Sequence, residues 1–179
     1  RVVLVSALMV LASAAPAWSQ IIMSPQRRAV KPPRATDTVN LSGPRFGLTI
    51  LSPGNVDVLA ERGVRLTRPL VTQFGWQFEK RLYTSDEGLT ALTEFVPLLS
   101  GLEQGVALPS LSWLVGVRTS MGTEFGIGPN ITPAGTGLVV AAGVTLRSGA
   151  LNVPFNVAVT TSKSGARVSV LTGFNLRQR

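Results

Sequence analysis

Six charged residues have the most chemistry to offer in this chain: Glu79, Arg81, Glu94, Arg118, Glu124 and Arg167. Each falls in a segment where apolar and polar residues alternate, on the side away from the apolar face. Glu79 and Glu94 could be imagined as a carboxylate pair for glycoside hydrolysis. Nothing in their spacing favours that, and arginine neighbours explain them better. Three acidic and three basic groups on one face fit an internal salt-bridge network, because a buried charge must be paired or it costs several kcal/mol. A polar conduit or gate is the other use of such a face. Arg118 and Glu124 are the most specific pair, since a turn centred on Met121 sets them opposite each other. Glu124→Gln is then expected to be costly while Arg118 remains. Exchanging the two charges is expected to recover part of the loss.

Other chemistry is excluded by composition. The chain of 179 residues has no Cys and no His, so disulfides, His- or Cys-ligated metals and imidazole acid–base catalysis are out. There is no Ser-His-Asp set and no phosphate loop. Gly126-Ile127-Gly128 lies inside a strand pattern with no helix after it. No cofactor, metal or catalytic residue is implied. The formal charge is +8, but from Pro44 onward 12 basic residues face 8 acidic ones, a difference of +4. The rest of the excess lies in the N-terminal segments, and no nucleic-acid recognition motif accompanies it.

The elements that position these charges are strands. From 110 to 176 five consecutive strands alternate faces. One face carries Leu111, Trp113, Val115 and Val117, then Phe125 and Ile127, then Leu138, Val140 and Val144, then Phe155, Val157 and Val159, then Val168 and Val170. The other carries Ser112, Gly116, Arg118, Glu124, Gly126, Asn130, Gly143, Asn156, Arg167 and Ser169. The turns keep that parity, as opposed residues in a hairpin must. A turn on Met121 pairs Val117 with Phe125; one on Ala134-Gly135 pairs Ile131 with Leu138. A turn on Ser148-Gly149 pairs Leu146 with Leu151, and one on Lys163-Ser164 pairs Val159 with Val168.

Three earlier strands are predicted: Arg45 to Leu51, with Phe46, Leu48 and Ile50 on one side; Val71 to Leu82, with Phe74, Trp76 and Phe78 together; and Leu89 to Leu98. Residues 53–63 read as a short helix started by Pro53 and ended by Gly63. The total is eight strands: an all-β antiparallel up-and-down meander closing into a small barrel. Prolines 97, 129 and 154 inside strands ask for bulges or edge-like breaks.

One apolar face against one of glycine, amide and charge fits a barrel in lipid, with the charged face inside. The connections after the first and third strands are long, about 19 and 11 residues, which suits the outer side of an outer-membrane barrel. Trp76 and Trp113 then face lipid near the interface. Residues 1–19 read as a secretory signal, with an apolar run from Val2 to Ala12 and small residues before Gln20. Residues 20–43, with Arg27, Arg28, Lys31, Pro32, Pro33 and Arg34, read as a flexible Pro/Arg-rich linker; 44–179 is the barrel domain.

The segments FGWQFE (74–79), EFGIGPN (124–130), LVVAAGVTLRSG (138–149) and RVSVLTGFN (167–175) resemble small outer-membrane β-barrel proteins of Gram-negative bacteria. The resemblance covers roughly residues 44–176. It implies a monomeric eight-stranded barrel in outer-membrane lipid, inserted by the outer-membrane assembly machinery; no nucleic-acid partner is expected, since no recognition motif accompanies the basic charge. The expected function is a structural or narrow-conduit barrel without catalytic activity. The alternative is a soluble secreted or periplasmic barrel that binds an apolar ligand, as lipocalins do, with its apolar face turned inward.

Overall fold

The computed structural model describes residues 41–176. The signal segment 1–19 and nearly all of the linker 20–43 lie outside the described residues. Eight long strands follow in order: β1 Gly43–Leu51, β2 Leu70–Thr84, β3 Thr90–Ser100, β4 Leu108–Arg118, β5 Thr123–Thr132, β6 Gly135–Ser148, β7 Leu151–Ser162 and β8 Gly165–Gly173. Each pairs antiparallel with the next, and β1 also pairs with β8. The sheet is thus a closed eight-stranded up-and-down β-barrel with no open edge. A two-residue strand β9, Asn175–Leu176, continues beyond Phe174 on the same neighbour, β7.

Residues 41–43, the end of β8 and the turns 85–89, 119–122 and 149–150 gather at one rim, here called the terminal rim. The loops 52–69 and 101–107 and the turns 133–134 and 163–164 gather at the other, the helix rim. Helix α1, Pro53–Glu61, belongs to the helix rim. Pro53 suits its first turn, where no intrahelical N–H is needed. Gly63, at φ +83°, ends it by donating its N–H to the Ala60 carbonyl.

Alternation holds on every long strand. The outward positions carry most of the large apolar side chains; the inward positions carry polar and small ones and a group of aliphatic ones, Leu92, Val96, Leu98, Leu114 and Val139 among them. Turn positions fix the exact register. The hairpins around Met121 and Lys163-Ser164 have the expected pairs, Val117 with Phe125 and Val159 with Val168. The other two are shifted by two residues. Ile131 opposes Thr136 rather than Leu138, and Leu146 opposes Val153 rather than Leu151. The loops are the two-residue Pro133-Ala134 and Gly149-Ala150. Gly149, at φ +58°, supplies the left-handed conformation that tight hairpins use.

The three strand prolines produce no bulge. Pairing between β2 and β3 lapses beside Pro97, and pairing between β4 and β5 lapses beside Pro129, with the register unchanged across each gap. Pro154 falls where β7 passes from β8 to β9. A proline lacks only its own N–H, so one local lapse in the ladder accommodates it. The register shift occurs elsewhere, between Arg81 and Tyr83 in β2.

Candidate functional site

The inside of the barrel is built in tiers. Nearest the terminal rim is a charged tier. Arg118, at the end of β4, donates from Nη1 and Nη2 to both carboxylate oxygens of Glu79 on β2, at 2.8 and 2.5 Å. Its Nε and Nη2 donate to Glu124 Oε2 on β5, at 2.9 and 2.7 Å. Glu94 Oε1, on β3, stands 3.7 Å from Nη2. All four residues are buried. The fork geometry of a guanidinium allows it to grip two carboxylates in this way.

A second guanidinium belongs to this tier and was not among the expected site residues. Arg45 is only 1% exposed. It donates from Nε to Gln77 Oε1 at 2.9 Å and from Nη2 to the Leu41 carbonyl at 2.6 Å. Gln77 in turn donates to Glu94 Oε1 at 2.6 Å, so one chain of contacts runs from β1 to β5. Gly173 makes room: a Cβ there would lie 2.6 Å from Arg45 Nη1 and 2.2 Å from the Pro44 carbonyl oxygen. Parity could have found Arg45, since Phe46, Leu48 and Ile50 point the other way.

Arg81 is a correction. It has the parity of Glu79 but is exposed, not in the lumen. It keeps the register of Glu79 and stands opposite Leu92, but lies two residues nearer the terminal rim, beyond the charged tier, where its side chain reaches solvent. The lumen therefore holds Arg45 in place of Arg81, and the charged tier has three carboxylates to two guanidiniums.

Next comes an apolar tier. Val96, Leu98, Leu114 and Val139 are buried together, with Ala141, Ala158 and Leu171 against them. Toward the helix rim lies a polar tier around Arg167. Its Nη2 donates to Asn130 Oδ1 at 2.7 Å and its Nη1 to Thr132 Oγ1 at 2.5 Å. Asn130 also donates to Ser110 and Ser112. Arg167 is buried and, among the described residues, makes no ion pair. The six steps along β4 from Ser112 to Arg118 put roughly 20 Å between the two polar groups along the strand. The structure thus separates Arg167 from the other expected lumen charges.

Helix α1 caps this end. Leu59, Leu108 and Ala134 are buried together, with Val64, Leu66 and Val106 packed on them. Asn55, fully buried, pins the helix to the wall: its Nδ2 donates to Ser52 Oγ and the Ala166 carbonyl, and its Oδ1 accepts from Ser164. Asn55→Ala should free this cap, at about 1–3 kcal/mol for the polar groups left behind. Hydrogen exchange is the check. Amides of α1 should exchange faster while those of β4 and β5 stay protected; unchanged α1 exchange would mean apolar packing alone holds the helix.

Between the charged tier and the cap lies a cavity of about 90 Å³. Gln73, Asn156, Arg167 and the apolar tier line it. Glu79 and Glu94 oppose each other directly on β2 and β3, with Arg118 against both. That arrangement uses them as counter-ions and leaves no separate acid and base.

The outer surface is the reverse of the lumen. Among the described residues, thirty large apolar ones are exposed, Phe46, Phe78, Trp113, Val140, Phe155 and Val170 among them. At outward positions of β1–β8 the only charged side chain is Lys80, near the terminal rim; Arg81 and Arg147, on the inward parity beside the same rim, are also exposed. Trp76 and Trp113 sit at the middle of their strands rather than at a rim. The Trp113 indole N–H donates to Thr93 Oγ1 at 2.8 Å, so its polar atom is satisfied within the apolar belt. The fold and its interior define a closed, internally salt-bridged eight-stranded β-barrel. No protein-family model, curated protein or solved structure matches the chain.

Proposed function

We propose that the chain is an outer-membrane β-barrel of structural type. The observation that carries this reading is the apolar belt, which runs round all eight strands with no charge except Lys80. A soluble protein rarely exposes apolar patches beyond a few hundred Å². A closed barrel satisfies its backbone internally and can sit in hydrocarbon. On this reading the helix rim, with its two long loops, faces outward and the terminal rim faces the periplasm. A secretory signal in residues 1–19 would deliver the chain, and the outer-membrane assembly machinery would insert it as a monomer.

The tiers support a plug rather than an open conduit. The charged tier, the apolar tier and the α1 cap succeed one another along the lumen. No catalytic role is proposed, because the lumen carboxylates serve as counter-ions. A soluble carrier of apolar ligands needs its apolar face inward; here that face points outward.

The test is extraction and gel mobility. The protein should stay with outer membranes through carbonate and urea washes and come out with detergent. Unheated and boiled samples should migrate differently, because a closed barrel resists unfolding by detergent alone. Recovery in the soluble periplasmic fraction would overturn the reading.

A further inference from the structure

We propose that the cavity beneath α1 is a binding site for a small carboxylate of the size of acetate, held by Arg167. Arg167 is 6% exposed, lines the cavity and has no carboxylate partner among the described residues. Its hydrogen bonds go to two neutral oxygens, on Asn130 and Thr132. A buried cation without a counter-ion is costly, and an anion that reaches it relieves that cost. The planar fork of the guanidinium matches a carboxylate better than a spherical halide.

A second observation points the same way. Gln73 is 8% exposed, lines the cavity, and its Oε1 has no hydrogen-bond partner. Its Nε2 donates to Ser100 Oγ at 3.0 Å. A hydroxyl can donate as well as accept, so the amide can turn over and keep that bond. Turned over, Gln73 places an N–H donor where its unpartnered oxygen lies, in the wall of the cavity. Asn156, whose Oδ1 is also buried without a partner, lines the same space.

Size and polarity narrow the guest. A cavity of about 150 Å³ accepts benzene, with six heavy atoms. In proportion, about 90 Å³ accepts roughly four heavy atoms, the count in acetate. The wall of Val96, Leu98, Leu114, Val139 and Leu171 suits a methyl group and disfavours a second charge. Glu94 also lines the cavity, but it belongs to the charged tier, where Gln77 and Arg118 engage it. A longer chain has no room in the apolar tier.

The experiment uses the whole refolded barrel in detergent with 13C-labelled acetate, followed by NMR line broadening. Binding should be saturable, resist competition by chloride, and be stronger for acetate than for butyrate. Arg167→Met should weaken it at least tenfold, and Arg167→Lys should weaken it less. Ala158→Leu, which fills the cavity and keeps Arg167, should also abolish binding. Gel mobility of unheated samples reports whether each variant has folded. Absence of saturable binding in the parent protein overturns the proposal, because the cavity then holds water only. Binding that survives both Arg167→Met and Ala158→Leu overturns it as well, since the site would lie elsewhere.

Discussion

Arg118→Met will destabilise the barrel by about 3–5 kcal/mol, the cost of removing one partner from a buried ionic group. Arg118 faces Glu79, Glu94 and Glu124 on three other strands, and all are buried. Without it the three carboxylates keep only Arg45, which reaches Glu94 through Gln77. Urea unfolding in detergent, read by gel mobility, measures the effect. A loss within about 1 kcal/mol, the range of an exposed pair, would mean that water reaches the tier. The shared arginine also revises what the isolated Arg118–Glu124 pair suggests. Glu124→Gln leaves Arg118 gripped by Glu79, so its cost should be well below that of Arg118→Met. Exchanging the two charges should not recover stability. A glutamate at 118 would stand beside Glu79 and Glu94, and like charges would meet at the centre of the tier.

The second large effect belongs to the outer face. Val140→Arg and Phe155→Arg should each cost about 2–4 kcal/mol, or block insertion, if they lie near the bilayer midplane. Both side chains are exposed on the belt. Asn156→Arg, beside Phe155 but pointing inward, provides the comparison; it should be better tolerated wherever the cavity can take the longer side chain. Yield of heat-modifiable protein in membranes reports the outcome. If the two belt variants insert as well as the parent chain, the belt does not meet lipid.

Much of this fold is legible in the sequence because a period of two leaves little freedom. Alternation finds the eight strands and assigns their faces, and a centred turn is enough to oppose Arg118 and Glu124. The same period explains the errors. Parity fixes a register only to within two residues, so the turns at Pro133-Ala134 and Gly149-Ala150 are displaced while every side chain keeps its face. Extrapolating parity along β2 puts Arg81 inside, because alternation does not reveal where the enclosed lumen ends. Arg45 was accessible to the same reasoning; it shares its strand with three outward apolar residues. The contact of Arg118 with Glu79, across 39 positions of sequence, was not. It depends on how three strands, β2 to β4, lie against one another, and hairpin-by-hairpin reading does not supply that.

The direct opposition of Glu79 and Glu94 bears on how the wall can be built. A hairpin of β2 and β3 alone would set two carboxylates face to face, and like charges directly opposite are unfavourable. Its alignment becomes favourable only when β4 brings Arg118, and β5 completes the grip with Glu124. The smallest self-consistent piece of this wall is therefore three strands, β2 to β4, rather than a hairpin. Refolding of Arg118→Met should be slowed, and not merely reversed faster, if that piece forms before the barrel closes. In that order of events the buried arginine is a checkpoint on alignment: strands that have slipped past one another cannot satisfy it.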